Sequence, residues 1–226
     1  QTYNFGNLRT TQAASPDYVS APMGTLAVSA GKWYWEGLQV SGHDRSYIGI
    51  CHTAAPIPTD AYIGNGLGPN SLGVHTYSGD AQDYSTGVTD WYTGWSDGGA
   101  NGDYISFAMD LDNKKIWVRH DGTWIDSGDP TSGATGTGAL GETGGNGGFT
   151  INTTPSSTNS GFFTPDWTTW GTGASITDLN FGNGVFGSTA LTGTTYSDGN
   201  NIGIFKYSVP SGFLALCTKN IGSAGG

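Results

Sequence analysis

The stretch "YISFAMDLDNKKIWVRHDGTW", Tyr104 to Trp124, alternates apolar and polar residues with a period of two. Ile105, Phe107, Met109 and Leu111 fall on one face. A polar turn at Asp112–Lys114 follows, and then Ile116 and Val118 alternate with Trp117 and Arg119. Successive side chains point to opposite faces of a strand, so this pattern predicts a β-hairpin. The same alternation runs through "KWYWEGLQV" (32–40), where Tyr34, Glu36, Leu38 and Val40 share one face and Trp33, Trp35 and Gln39 the other. "SYIGICH", "SLGVHTY", "SITDLNFG" and "GFLALCT" read as further strands. No window of useful length carries the 3.6-residue apolar period of a helix. About ten to thirteen strands with no helix predict an all-β chain: a two-sheet antiparallel, jelly-roll-like β-sandwich with long Gly-rich loops.

Glycine supplies 39 of the 226 residues, and only 12% are charged. Trp, Tyr and Phe number 8, 11 and 9, which is enough apolar area to offset chain entropy and to exclude a disordered chain. Residues 1–221 read as one domain. Segments 79–103, 127–173 and 188–201 are too long and too Gly-rich for simple turns and are expected to be loops or insertions. "NIGSAGG" reads as the start of a flexible tail or linker over 222–226. Gln1, standing where an initiator Met would be, points to a processed chain or an excerpt of a longer protein.

The formal charge of −10 argues against a nucleic-acid backbone or an anionic membrane surface as partner, since either needs clustered cations. No apolar run approaches the roughly 18 residues that span a bilayer. Cys51 and Cys217 each sit in an apolar strand-like run. Two free thiols and a disulfide between the strands are both open, and neither cysteine has the spacing of a zinc site.

Glu36 is the one carboxylate among the aromatics of "GKWYWEG". A glycosidase needs two carboxylates flanking the scissile bond. The positions two residues from Glu36 are Tyr34 and Leu38, and the only other glutamate, Glu142, lies in a Gly-rich loop. Glu36 therefore reads as a strand glutamate held by cations or backbone N–H groups. Asp110 and Asp112 read as turn caps. His43, His52, His75 and His120 are dispersed and belong to no nucleophile motif. No catalytic residue, metal ligand or cofactor is expected. The Asp/Gly clusters at 78–83, 96–103 and 126–130 could hold calcium, with solvated turns as the default.

The positive signal is aromatic. Trp91, Tyr92 and Trp95, with Tyr84 nearby, cluster in one loop, and Phe162, Phe163, Trp167 and Trp170 in another. Exposed aromatic faces beside Asp and Asn suit sugar rings, and equally suit a protein interface. Packing of the loops on themselves is the third reading. The sequon at Asn152 matters only in a eukaryotic secretory setting.

Five blocks in order, "SAGKWYWEGLQV", "YIGIC", "GDYISFAMDLDNKKIWV", "LNFGNGVF" and "VPSGFLALCTKN", resemble the B30.2/SPRY domain. More narrowly, they resemble the form found in structural proteins of tailed phages and marine viruses. The resemblance covers the framework of nearly the whole chain. It implies a concanavalin-like bent sandwich that binds through its loops. Gly187–Gly203, the 141–173 segment and "HDGTWIDSGDP" depart from the family's pattern. The resemblance implies a non-enzymatic module of a virion surface protein: a fibre, tip or capsid decoration, hence a virion-surface or extracellular location. Its partners would be a cell-surface glycan or protein receptor, or other subunits of a homo-oligomeric assembly. A bacterial surface or filament subunit is the alternative, and a concanavalin-like glycoside hydrolase a further one. A fourth reading is peptide recognition by loops at one end of the sandwich.

Overall fold

The structure is a computed structural model, and it describes residues 2–4, 8–12, 23–54, 71–83, 99–140, 151–169 and 173–224. Fourteen strands are described: β1 (Thr2–Asn4), β2 (Arg9–Gln12), β3 (Lys32–Ser41), β4 (Ser46–His52), β5 (Leu72–His75), β6 (Ala81–Asp83) and β7 (Tyr104–Asp110). There follow β8 (Lys115–His120), β9 (Thr123–Trp124), β10 (Phe163–Thr169), β11 (Ser175–Asn180), β12 (Val185–Phe186), β13 (Thr189–Ala190) and β14 (Leu214–Ala215). One sheet runs β1-β2-β11-β3-β7-β8-β9, with β14 beside the start of β3, and the other runs β10-β4-β5-β6. Every pairing is antiparallel except β14 with β3. The expected all-β sandwich is what the chain forms.

The hairpin at 104–124 forms as its alternation predicts, with Asp110 opposite Lys115 at the turn. Asp110 accepts from the Asn113 backbone N–H (2.9 Å) and caps the turn as expected, whereas Asp112 accepts from the backbone N–H of the distant Gly31 (2.8 Å) and ties the turn to the start of β3. Lys114 takes the left-handed conformation, φ 57°, that closes the turn. Between the sheets, Trp33 and Trp35 of β3, Phe107 of β7, Ile48 and Ile50 of β4 and Val74 of β5 form the main core. Trp35 lies opposite Phe107 in register, their rings stacked 5.2 Å apart. Such a cross-strand aromatic pair adds to the transfer energy of two buried rings.

The outer face of the first sheet is also covered. Tyr34, Ala108 and Trp117 pack there against Phe205, Phe213 and Ala215 from the C-terminal segment. Both faces of β3 are therefore buried, which accounts for three consecutive large aromatics in "WYW".

Three sequence expectations need correction. Segment 127–173 is not one long loop: Leu140 pairs with Ile116, Ile151 enters the core, and Phe163–Thr169 is strand β10. Pro165 and the Gly/Thr-rich surroundings disguise that strand, and β10 tolerates proline because it is a sheet edge. Segment 188–201 holds β13 and a turn around Asp198, whose side chain accepts from the backbone N–H of Asn200, Ile202 and Ala215. It belongs to the cover of the first sheet. Finally, Thr218–Ala224 is an α-helix (α1) where no helix was expected, and it overlaps the expected tail. Seven residues are too few to show a helical period, and Asn220 secures α1 by donating to Asp198 (2.7 Å) and to the Ala215 carbonyl (2.9 Å). Of the two open readings for the cysteines, the free thiols hold.

Candidate binding surfaces

Glu36 is fully buried under the C-terminal cover. One carboxylate oxygen accepts from the Tyr34 hydroxyl and the Tyr207 backbone N–H, each at 2.9 Å. The other accepts from the Lys206 backbone N–H (2.9 Å) and the Asn180 amide (3.2 Å). Burial raises its pKa, and these bonds and the nearby Arg119 pull it back. Arg119 donates to the Tyr34 hydroxyl and to the Ser208 carbonyl, and it lies over the rings of Tyr34, Trp124 and Tyr207. With four donors on its two oxygens, Glu36 ties residues 180–207 to the sheet. That is the structural role the sequence suggested, filled by backbone and amide donors.

The nominated aromatics separate. Tyr84, Trp91, Tyr92, Trp95 and Trp170 lie outside the described residues. Phe163 and Trp167 lie inside the main core, and the Trp167 indole donates to the Thr10 hydroxyl. They face inward because β10 alternates: Phe163, Pro165 and Trp167 oppose His52, Ile50 and Ile48, while Thr164, Asp166 and Thr168 take the other face. The reading of these two rings as loop-borne ligand contacts is thus corrected to a core role. Phe162, one residue before the strand, is 46% exposed.

Two features missed as sites are assembled from distant segments. The first gathers at one end of the sandwich, where three turns meet: His43–Arg45, Thr76–Ser78 and the turn before β7. Tyr77 is 48% exposed, with its ring 5.6 Å from that of His43 and 6.3 Å from that of His75. His75 stacks on Tyr47 at 4.7 Å and its Nδ1 meets the Ser78 hydroxyl at 2.9 Å. Burial lowers the pKa of His75, which leaves it neutral at pH 7. The His43 backbone N–H and ring both meet the Asn101 side-chain oxygen, at 3.2 and 3.1 Å. The result is an exposed aromatic face with a polar rim, and Asp44 and Asp80 occupy the same turns. No local sequence pattern announces it, because its residues come from three separate turns.

The second is a cleft of about 230 Å³ on the outer face of the first sheet, beyond the edge of the C-terminal cover. Its floor is a row of directly opposed residues across four strands: Arg9, Asp178, Leu38 and Tyr104. Arg9 and Asp178 form a bidentate pair, both bonds 2.6 Å. The β12–β13 hairpin supplies a wall, and Lys206 leans over Tyr104 with its Nζ 5.4 Å from the ring centre.

Among the described residues of the Asp/Gly clusters, Asp129 and Asp103 act as turn caps. Asp129 accepts from the Thr131 N–H (2.8 Å) and hydroxyl (2.6 Å). Asp103, His120 and Asp121 bring ligand-type atoms within 4.8 Å of one another. Asp103 already accepts from the Ala100 N–H (2.6 Å) and meets His120 Nε2 (2.9 Å), and Asp121 accepts from the Tyr104 N–H (2.8 Å). A divalent cation held there would compete with those bonds.

No family model matches the chain, and no curated protein matches it. Among solved structures it is similar to the SPRY domain of human HERC1, at 9% identity over 76% of this chain and 93% of that one, with a TM-score of 0.47. A human SPRY domain gives 13% identity over 76% and 90%, TM-score 0.45. The TRIM65 PSpry domain gives 13% over 79% and 82%, TM-score 0.49.

Proposed function

We propose that this chain is a non-enzymatic binding module that contacts a cell-surface glycan through the turns at the Tyr77 end of the sandwich. Our reading places it on a virion surface, in a fibre, tip or capsid decoration. The observation that carries the glycan reading is the half-exposed Tyr77 ring, rimmed by His43 and Asn101, with carboxylates in the same turns. A flat aromatic face takes the apolar side of a pyranose, while amide, imidazole and carboxylate groups take its hydroxyls. The sandwich supplies the rigidity: those turns leave the ends of β3, β5 and β7, whose strands are paired on both sides.

A contact with neighbouring subunits, as in a homo-oligomeric virion protein or a bacterial filament, is the second reading. Phe162 and Ile204, 46% and 48% exposed, favour it, because both are apolar. A glycan array probed with the purified chain and with Tyr77→Ala separates the two. Glycan binding that is lost in a folded Tyr77→Ala supports the first reading. A discrete oligomer by light scattering with no glycan bound supports the second.

A further inference from the structure

We infer that the cleft at Lys206 is a second binding site, one that takes a glutamate side chain from a partner peptide. Only eight residues of this acidic chain are Lys or Arg, and two of them, Arg9 and Lys206, line this one cleft. Asp178 is taken up by Arg9, and the Glu36 carboxylate below is held by its four donors with Arg119 nearby. The Lys206 ammonium has no carboxylate partner among the described residues; the Tyr104 ring is its one neighbour of note. A half-buried, unneutralised cation in a chain of charge −10 is a site that favours an anion.

The rest of the cleft decides which anion. About 230 Å³ falls below the range of roughly 300–1,000 Å³ typical of whole small-molecule ligands, so the occupant is of side-chain size. Leu38, Val40 and Phe186 offer apolar surface, which suits methylenes. Tyr104 is held neutral by burial and by the Asp121 and Glu36 charges, so its hydroxyl can donate to a carboxylate beside the Lys206 ammonium. A sugar acid would bring several hydroxyls that need partners, and the Arg9–Asp178 pair, already joined, would have to break to serve them. Two methylenes and one carboxylate fit what remains: the side chain of glutamate.

The test is an NMR titration of the ¹⁵N-labelled chain with the capped peptide acetyl-Ala-Glu-Ala-amide. The Gln counterpart, free glucuronate and the Lys206→Met and Lys206→Arg variants complete it. We expect shifts at Tyr104, Thr189–Leu191 and Lys206 with the Glu peptide. Binding should be at least tenfold weaker with the Gln peptide or with Lys206→Met, kept by Lys206→Arg, and weakened by salt. The spectrum of each variant reports its fold directly. Equal response to Glu and Gln peptides, a response to glucuronate as tight as to the Glu peptide, or no shift at the cleft would each overturn the assignment. Tyr77 lines a different surface, so failure here and failure of glycan binding are separate results.

Discussion

Glu36→Gln is the sharpest test of how this sandwich is closed. Both carboxylate oxygens receive two donors each, and the side chain is fully buried. Glutamine keeps one acceptor oxygen and replaces the other with an NH₂ group. Whichever way the amide turns, its NH₂ faces a backbone N–H: that of Tyr207 on one side or of Lys206 on the other. One buried backbone donor is thus left unpaired and opposed by a second donor. An unsatisfied buried polar group costs about 1–3 kcal/mol, and hydrogen bonds to a charged acceptor sit at the upper end, so a loss of about 3 kcal/mol is expected. Glu36→Ala strands all four donors and should cost about 4 kcal/mol or more, limited by water entering the space. With a urea m-value of about 3 kcal/mol per molar, the Gln variant's midpoint should fall by about 1 M. Amide exchange at Lys206 and Tyr207 should accelerate in the same variant, since both N–H groups are held by that carboxylate. A Gln variant within about 0.5 kcal/mol of the parent, or one less stable than the Ala variant, would refute the reasoning.

Asp166 carries a pH prediction. It is fully buried on β10, neither oxygen has a partner in hydrogen-bonding geometry, and burial pushes its pKa up to about 8, only partly offset by the Cys51 thiol and the Trp167 N–H. Its carboxyl binds a proton more tightly folded than unfolded. The stability this confers is therefore complete below about pH 4 and is lost as pH rises towards 8, by an amount on the order of 5 kcal/mol. Asp166→Asn should match the parent near pH 4 and exceed it at pH 8 in urea midpoint. Any contribution from the two histidines with lowered pKa, His52 and His75, cancels in that comparison, and parallel pH curves would count against it. Gly49→Ala should abolish soluble folded protein, because the added Cβ would sit 1.8 Å from the Leu72 carbonyl oxygen on the paired strand. Gly199→Ala meets open space and should leave the thermal midpoint unchanged or raise it slightly.

Alternation is a local property, and it was enough to determine the sandwich, the 104–124 hairpin with its Asp110 cap, and the division of β3 into two faces. It also placed Glu36 correctly as a strand tie, because no second carboxylate could flank it. What alternation cannot encode is which strands become neighbours. The second covering of β3 depends on residues 181–217 folding back across some 170 positions to reach Glu36, and no local pattern announces that. The same long-range closure turned Phe163 and Trp167 from expected loop contacts into core. It built the Tyr77 surface from three turns and the Lys206 cleft from the opposed row of Arg9, Asp178, Leu38 and Tyr104. Strand register is set by side chains meeting across sheets, so a site made of register neighbours exists only once the sheets have formed.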